Sequence, residues 1–145
     1  MQKDSAVLCE HLERRDNLMD ERSCLDLSMY RFDKALTTLR TARANLNDAG
    51  DPDSSVNRSY YAVFYAMLSV TALDGFESNK HSEVISYFSQ KYVKTGIFST
   101  EISEMPAHAS KLKECAEEQI QNAESVLSMI RPYLINRRAE LEDKQ

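Results

Sequence analysis

Apolar residues recur at helical spacing along most of the 145-residue chain. The longest regular stripe predicts a first helix over about residues 23–47, because its apolar positions follow one another at steps of three, four or seven. Ser23 fits the N-cap of this helix, and residues 50–52 bring a glycine stop followed by a proline restart. The stripe consists of Leu25, Met29, Phe32, Leu36, Leu39 and Leu46.

Two neighbouring apolar stripes predict a second helix, which starts near Pro52 or Ser54 and ends at Gly75. A helix with two such stripes buries a wide face, so we expect it to lie at the centre of the fold. One stripe is Tyr60, Phe64, Met67 and Thr71, and the adjacent one is Tyr61, Tyr65, Leu68 and Ala72.

The rest of the chain predicts two further helices, over about residues 80–93 and 107–142. Pro132 lies inside the last pattern and is expected to kink or divide that helix. Residues 1–22 are dense in charge and show a weak apolar stripe, which predicts a charged N-terminal extension with, at most, a short helix of its own. Residues 23–145 therefore predict an all-α domain, an antiparallel up-and-down bundle of four main helices.

Composition agrees with this helical prediction. Three glycines and three prolines are too few for a turn-rich β architecture. The net charge of −5 argues against broad, non-specific binding to nucleic acids or anionic membranes, although a local basic site remains compatible with it. The longest uncharged interior run, residues 59–73, is too short to span a bilayer. Three cysteines without a CxxC pair, and no signal-peptide pattern, predict a cytoplasmic protein.

The sequence carries no recognisable motif for metal, cofactor or phosphate-loop chemistry. Glycines at positions 50, 75 and 96 cannot form a Gly-rich loop, and no HExxH, CxxC or ExxH pair occurs. The three histidines, His11, His81 and His108, are far apart in sequence. We therefore expect no metal and no cofactor, and the spacing marks no catalytic residue.

The most distinctive segment is residues 57–66, which read NRSYYAVFYA. Arg58, Tyr61 and Tyr65 stand at i, i+3 and i+7, so they share one side of a helix, where an arginine and aromatic rings can hold a phosphate and stack a base. Lys80 and His81 begin the third helix, where free N–H groups favour an anion. These five residues are the candidate ligand-binding residues. In the plainer alternative, which physical chemistry alone favours, the tyrosines are core or dimer contacts, Arg58 pairs with an acid and His81 is solvated.

Several segments, in this order, resemble a known superfamily. They are residues 35–43, 56–66, 80–88, 92–96 and 116–124. The patterns NRxYYAxFYA and KHSxVISxF are fairly specific in combination, and the similarity extends over about residues 24–135. The chain thereby resembles the HEPN superfamily, in its branch of small stand-alone prokaryotic proteins.

This resemblance implies an all-α bundle, commonly a homodimer, associated with nucleotides or RNA. Many relatives are encoded beside a minimal nucleotidyltransferase, as toxin–antitoxin-like pairs. Active ribonucleases of the superfamily use an arginine followed four to six residues later by a histidine, and a related form has an arginine shortly before Asp-Tyr. This chain contains neither pattern, and residues 97–113, where the element would lie, hold His108 but no arginine.

The leading hypothesis is a HEPN-like protein that binds a nucleotide, RNA or a nucleotidyltransferase partner without catalysis of its own. One alternative is a metal-independent ribonuclease with a relocated histidine, such as His81 or His108. Another is a ligand-free dimerisation or adaptor module. A homodimer is expected in each case, because the apolar face of the second helix is wider than one neighbouring helix can cover.

Overall fold

In a computed structural model of the chain, residues 2–100 and 113–143 are described, and side chains are described for residues 21–100 and 115–143. These ranges contain four α-helices and no strand, which confirms the predicted all-α class. The third helix runs on into one π-helical segment, Ser89–Val93, so the helical stretch predicted over residues 80–93 is present. The helices are α1 (Gln2–Asn47), α2 (Pro52–Leu73), α3 (His81–Phe88) and α4 (Lys113–Asp143).

The first helix is longer than its apolar stripe predicted. α1 is a single helix of 46 residues, so residues 2–22 are the start of α1 rather than a short helix of their own. Ser23, expected as an N-cap, lies in the middle of the helix. The reason is local, because no glycine or proline occurs before Gly50 and nothing else in this stretch forces the backbone to stop.

The central position predicted for α2 is correct, since α2 contacts α1, α3 and α4 of the same chain. Its core-facing side is not either predicted stripe as a whole, because the side chains in the core cluster are Ala62, Val63, Ala66, Met67, Val70 and Leu73. α1 is antiparallel to α2 and to α4, so α2 and α4 run parallel, as in an up-and-down bundle. α3, only eight residues long, packs on α2. The side-chain contacts that fix these directions are Arg31–Leu68, Lys34–Tyr65, Arg138–Ser28 and Arg43–Glu124.

Local chemistry sets the bounds of α2. Asp51 is its N-cap, where the carboxylate Oδ1 accepts a hydrogen bond from the Ser54 backbone N–H at 3.2 Å, and Pro52 occupies the first turn. Gly75, at a φ of 73°, adopts the left-handed conformation that follows the helix. Small buried residues along α2 allow close approach of the neighbouring helices; they are Ser55, Ser59, Ala62, Ala66 and Ser69.

Pro132 does not divide α4, which is helical from Lys113 to Asp143. Ile130 and Leu134, on either side of the proline, are both buried in the same core and hold the two halves of the helix together. The predicted beginning of this helix at residues 107–112 lies outside the described residues. Within the described ranges, no helix has the length and apolarity that a bilayer span requires.

Candidate functional site

Arg58, Tyr61 and Tyr65 form a continuous strip along one side of α2, as their spacing predicted. The Arg58 guanidinium lies 4.9 Å from the centroid of the Tyr61 ring. The Tyr61 ring lies 6.1 Å from the Tyr65 ring. All three residues are partly exposed, so the strip faces solvent while the opposite side of α2 is packed in the core.

His81 reaches the same strip from α3. Its imidazole lies 4.1 Å from the Phe64 ring and 5.9 Å from the Tyr61 ring, centroid to centroid. Lys80, the residue before it, is exposed at the N-cap position of α3, and its backbone N–H donates to the Ser78 hydroxyl at 3.1 Å. The structure thus brings His81 against rings that lie 17 and 20 positions earlier in the sequence.

Lys34 of α1 adds a cation that the sequence did not assign to this site. Its ammonium nitrogen lies 4.7 Å from the centroid of the Tyr65 ring. Only the register between α1 and α2 shows that Lys34 meets Tyr65, because the sequence of α1 alone does not tell which residues of α2 lie beside it. We call the set Lys34, Arg58, Tyr61, Tyr65, Lys80 and His81 the aromatic–basic strip; Lys80 is included only as the exposed neighbour of His81 at the start of α3.

The cations of the strip, Lys34, Arg58 and Lys80, form no ion pair with a carboxylate in the part of the chain whose side chains the structure describes. Arg58 donates instead to the side-chain oxygen of Asn57 at 2.8 Å. The alternative in which Arg58 pairs with an acid therefore finds no such acid in the part of the chain that the structure describes.

Other basic residues of α1 differ from those of the strip. Arg31 is largely buried and pairs with Glu77 at 3.2 Å. Arg43 pairs with Glu124 at 2.6 Å. Because a cation already paired with a carboxylate is less available to a phosphate, the strip is the better anion site. Its rings add surfaces on which a base can stack.

The described residues hold no group of three His, Cys, Asp or Glu side chains that could bind a metal ion. His81, one of the two histidines considered for a relocated ribonuclease site, has Phe64 and Tyr61 as ring neighbours. His108, the other, lies outside the described residues.

A second polar cluster, which the sequence did not reveal, surrounds Asp74 at the end of α2. The Asp74 side chain is only 2% exposed. Its carboxylate accepts hydrogen bonds from the hydroxyls of Tyr87 at 2.9 Å and Tyr92 at 2.5 Å, and from the Arg137 guanidinium. The Lys91 ammonium lies 3.2 Å away. With four partners from α3, the π-helical segment and α4, the carboxylate is fully engaged, and the cluster ties these elements to α2.

Charge and hydrogen bonding within this cluster shift the pKa values of its members. Burial acts to raise the pKa of Asp74, but the hydrogen bonds from Tyr92, Arg137 and Tyr87 outweigh it and hold that pKa below its ordinary value. Burial, together with the hydrogen bond that its hydroxyl donates to Asp74, raises the pKa of Tyr92. The carboxylate is therefore ionised and the tyrosine neutral throughout the physiological range. The only sequence signal for Asp74 is its position directly before Gly75, where the second helix is expected to end.

The fold and the strip together place this protein among small all-α bundles that present basic and aromatic side chains on their central helix. The HEPN domain family model matches residues 28–133, which is most of the bundle. The chain therefore belongs to the HEPN domain family.

Curated relatives share parts of this bundle. The chain is 40% identical over 83 residues to a UPF0332 protein of Gloeobacter violaceus, which covers 57% of this chain and 64% of the relative. It is 41% identical over 49 residues to a UPF0332 protein of Thermotoga maritima, covering 34% and 37%. A Methanocaldococcus jannaschii protein named "putative toxin" is 28% identical over 76 residues, covering 52% of each.

The matched regions span between about a third and two thirds of the relatives' lengths. No solved structure matches the chain.

Proposed function

We propose that this protein binds RNA or a nucleotide through the aromatic–basic strip, without catalysis of its own. The observation that carries the proposal is the arrangement of Lys34 and Arg58 over the rings of Tyr65 and Tyr61, with no carboxylate paired to either cation in the described part of the chain. A phosphate favours the cations and a base favours a ring face, so a single-stranded polynucleotide or a nucleotide matches both parts of the strip.

Exposure and fold support this proposal over a purely structural role. Tyr61 and Tyr65 lie on neighbouring turns of α2 and keep part of their rings accessible, whereas Tyr92, a core tyrosine of the same molecule, is 1% exposed. Membership of the HEPN family adds support, because the resemblance implies an association with nucleotides or RNA.

Binding of a fluorescently labelled single-stranded RNA tests the proposal. We expect a saturable rise in fluorescence anisotropy, and about a tenfold weaker affinity for Arg58→Ala because a charged contact to phosphate is lost. Tyr61→Leu should weaken binding by a similar factor, while Tyr61→Phe, which keeps the ring, should bind almost as well. Lys94→Ala, which removes an exposed cation beyond the π-helical segment, is the matched control and should leave the affinity unchanged.

A ligand-free adaptor is the outcome if no binding occurs. Calorimetric titration with nucleotides and short RNAs would then give no heat, and none of these ligands would raise the melting temperature. That result would refute the binding proposal.

Ribonuclease activity with a relocated histidine is the second candidate function. It is favoured by the similarity to the protein named "putative toxin". Incubating the purified protein with RNA in the presence of a chelator distinguishes the two. Metal-independent cleavage that is lost in His81→Ala, His108→Ala or Arg58→Ala would show that the protein is a ribonuclease and refute the non-catalytic proposal. RNA that stays intact would support the non-catalytic proposal.

A nucleotidyltransferase is the partner class that the resemblance suggests, and a homodimer in the cytoplasm is the proposed form of the protein. An adjacent reading frame for a minimal nucleotidyltransferase, and co-purification of the two proteins, would support that partner. The mass in solution at micromolar concentration tests the dimer.

A further inference from the structure

An open groove runs between α1 and α4. It has a volume of about 340 Å³, and every residue that lines it belongs to one of these two helices. Leu36 is only partly buried, so apolar surface at the floor of the groove stays open to solvent. The floor is formed by one phenylalanine and three leucines: Phe32, Leu36, Leu39 and Leu127.

Two exposed apolar side chains extend this floor along both helices. Met29, one turn before Phe32 on α1, is 45% exposed, and Ile135, one turn after Arg131 on α4, is 58% exposed. The Arg131 guanidinium lies 5.7 Å from the centroid of the Phe32 ring. Because α1 and α4 are antiparallel, the two steps lead in the same direction and bring Met29 and Ile135 to the same level. Large exposed apolar residues that extend one face are typical of an interaction site.

The resulting face is long and narrow. From Met29 to Arg43 it follows α1 for 14 residues, which is about 21 Å at roughly 1.5 Å per residue. A small-molecule pocket encloses most of its ligand's surface. A long open face between two antiparallel helices instead matches about four turns of a third helix laid along them.

The rim of the groove is basic, although the net charge of the protein is −5. It carries three arginines, Arg40, Arg43 and Arg131, against one acid, Glu124, which pairs with Arg43 at 2.6 Å. Arg40 and Arg131 form no ion pair with the side chains that the structure describes. A helix with carboxylates beside its apolar edge would supply counter-charges to both arginines.

The far end of the face, near Met29, has a different charge. Arg138 reaches Ser28, the neighbour of Met29, and its guanidinium donates to the Ser28 hydroxyl at 3.3 Å. The carboxylates of Asp33 and Glu142 attract Arg138, so the positive charge at this end is already offset. The acids of a docked helix therefore belong at the arginine end of the groove, and its uncharged apolar part belongs at the Met29 end.

Two other occupants match the face less well. In a twofold contact with a second copy of the chain, the face would meet itself, and the arginines of one rim would lie against those of the other. Nucleic acid would suit the arginines through its phosphates but would leave the leucines of the floor without an apolar partner. A protein helix with an apolar edge and acidic flanks matches both the floor and the rim.

We propose that the α1–α4 groove docks an acidic amphipathic helix of a partner protein. The apolar edge of that helix packs on Phe32, Leu36 and Leu127, and its carboxylates lie beside Arg40 and Arg131. This interaction goes beyond the proposed function, because the groove and the aromatic–basic strip share no residue. RNA binding and helix docking can therefore fail independently.

A designed peptide tests the docking. The probe is a fluorescein-labelled helical peptide of about 18 residues, long enough for the face, with leucines along one edge and glutamates beside them in one half. We expect saturable binding in fluorescence anisotropy, and at least tenfold weaker binding of the same peptide with lysine in place of each glutamate.

Charge reversal on the rim locates the binding site. Arg40→Glu and Arg131→Glu should each weaken the glutamate peptide at least fivefold and strengthen binding of the lysine peptide, because the attraction is then inverted. Lys94→Glu reverses an exposed cation outside the groove, and as the matched control it should leave both affinities unchanged. Circular dichroism checks that each variant keeps its helical fold.

Cysteine cross-linking tests the direction of the docked helix. In a background with Cys9, Cys24 and Cys115 replaced by serine, Met29→Cys protein should form a disulfide with a peptide that carries a cysteine at its glutamate-free end. Tyr30→Cys in the same background alters the next, exposed residue of α1 and should give little product.

Three results would overturn the proposal. The first is equal affinity for the glutamate and lysine peptides, or an affinity that Arg40→Glu and Arg131→Glu leave unchanged. The second is a wild-type dimer that Met29→Asp dissociates, because a second copy would then cover this face. The third is a loss of labelled-RNA binding in Arg40→Glu and Arg131→Glu, which would make the rim a nucleic-acid contact.

Discussion

At the scale of single residues, Asp74 is the centre of the buried polar cluster at the end of α2. Its carboxylate joins α2 to the π-helical segment and to α4 through Tyr92 and Arg137, and the Arg137 guanidinium also donates to the Tyr92 hydroxyl at 2.6 Å. A nearly buried charge is tolerated only when its partners satisfy it, so the loss of one member affects all the others.

Replacing the Asp74 carboxylate by an amide should therefore destabilise the fold. In Asp74→Asn the shape is kept, but Arg137 loses its counter-charge, and we expect the free energy of unfolding to fall by about 2–4 kcal/mol. Urea denaturation measures the change. Asp48→Asn, which alters an exposed acid after α1, should stay within about 0.5 kcal/mol of the wild type.

The same carboxylate predicts a pH dependence of stability. Its native pKa lies below the ordinary 3.8, so the stability that ionised Asp74 contributes is complete at pH values above 3.8 and is lost as the pH falls through the lower native pKa. The difference in unfolding free energy between the wild type and Asp74→Asn should be constant from pH 5 to 7 and shrink at more acidic pH. A difference that grows on acidification would contradict this assignment of charge.

At the scale of elements, a helix bound could be predicted from the sequence where a local signal marks it. α2 begins at a proline beside a capping aspartate and ends before Gly75, and both signals act within one turn of the chain. The start of α1 carried no such signal. Ser23 lies inside a run of helix-forming residues, and there a serine does not begin a new helix. At Pro132 a local signal is present but does not end the helix. A proline inside a helix usually kinks or divides it, but the buried residues Ile130 and Leu134 on either side keep α4 continuous.

Pro132→Ala should therefore stabilise α4. The substitution restores a backbone N–H that can donate within the helix and removes the clash of the proline ring, and the position is exposed, so no core contact is lost. We expect a gain of about 1–3 kcal/mol, read as a higher melting temperature in a circular dichroism scan. A lower melting temperature would show that the native helix depends on the proline geometry.

At the scale of the whole molecule, a net charge of −5 coexists with a local cluster of cations. Long-range attraction of RNA by the whole protein is therefore weak, and the affinity depends on the strip itself.

Salt dependence measures how many cations contact the RNA. For single-stranded RNA, the logarithm of the binding constant falls with the logarithm of the salt concentration by roughly 0.7 for each phosphate contact. If Lys34, Arg58 and Lys80 each contact a phosphate, raising the salt from 50 to 200 mM should therefore weaken binding by about 20-fold. Arg58→Ala should reduce that slope by about one third. An affinity that is insensitive to salt would exclude phosphate contacts by the strip.

The sequence alone determined the helical class, the central position of α2 and five of the six residues of the strip, because helical periodicity and caps are properties of neighbouring residues. Tertiary structure decided the rest. Lys34 joined the strip only through the α1–α2 register, and Asp74 gained its partners from α3, the π-helical segment and α4. Such contacts depend on which faces of distant helices meet, and the local pattern of one chain does not contain that information.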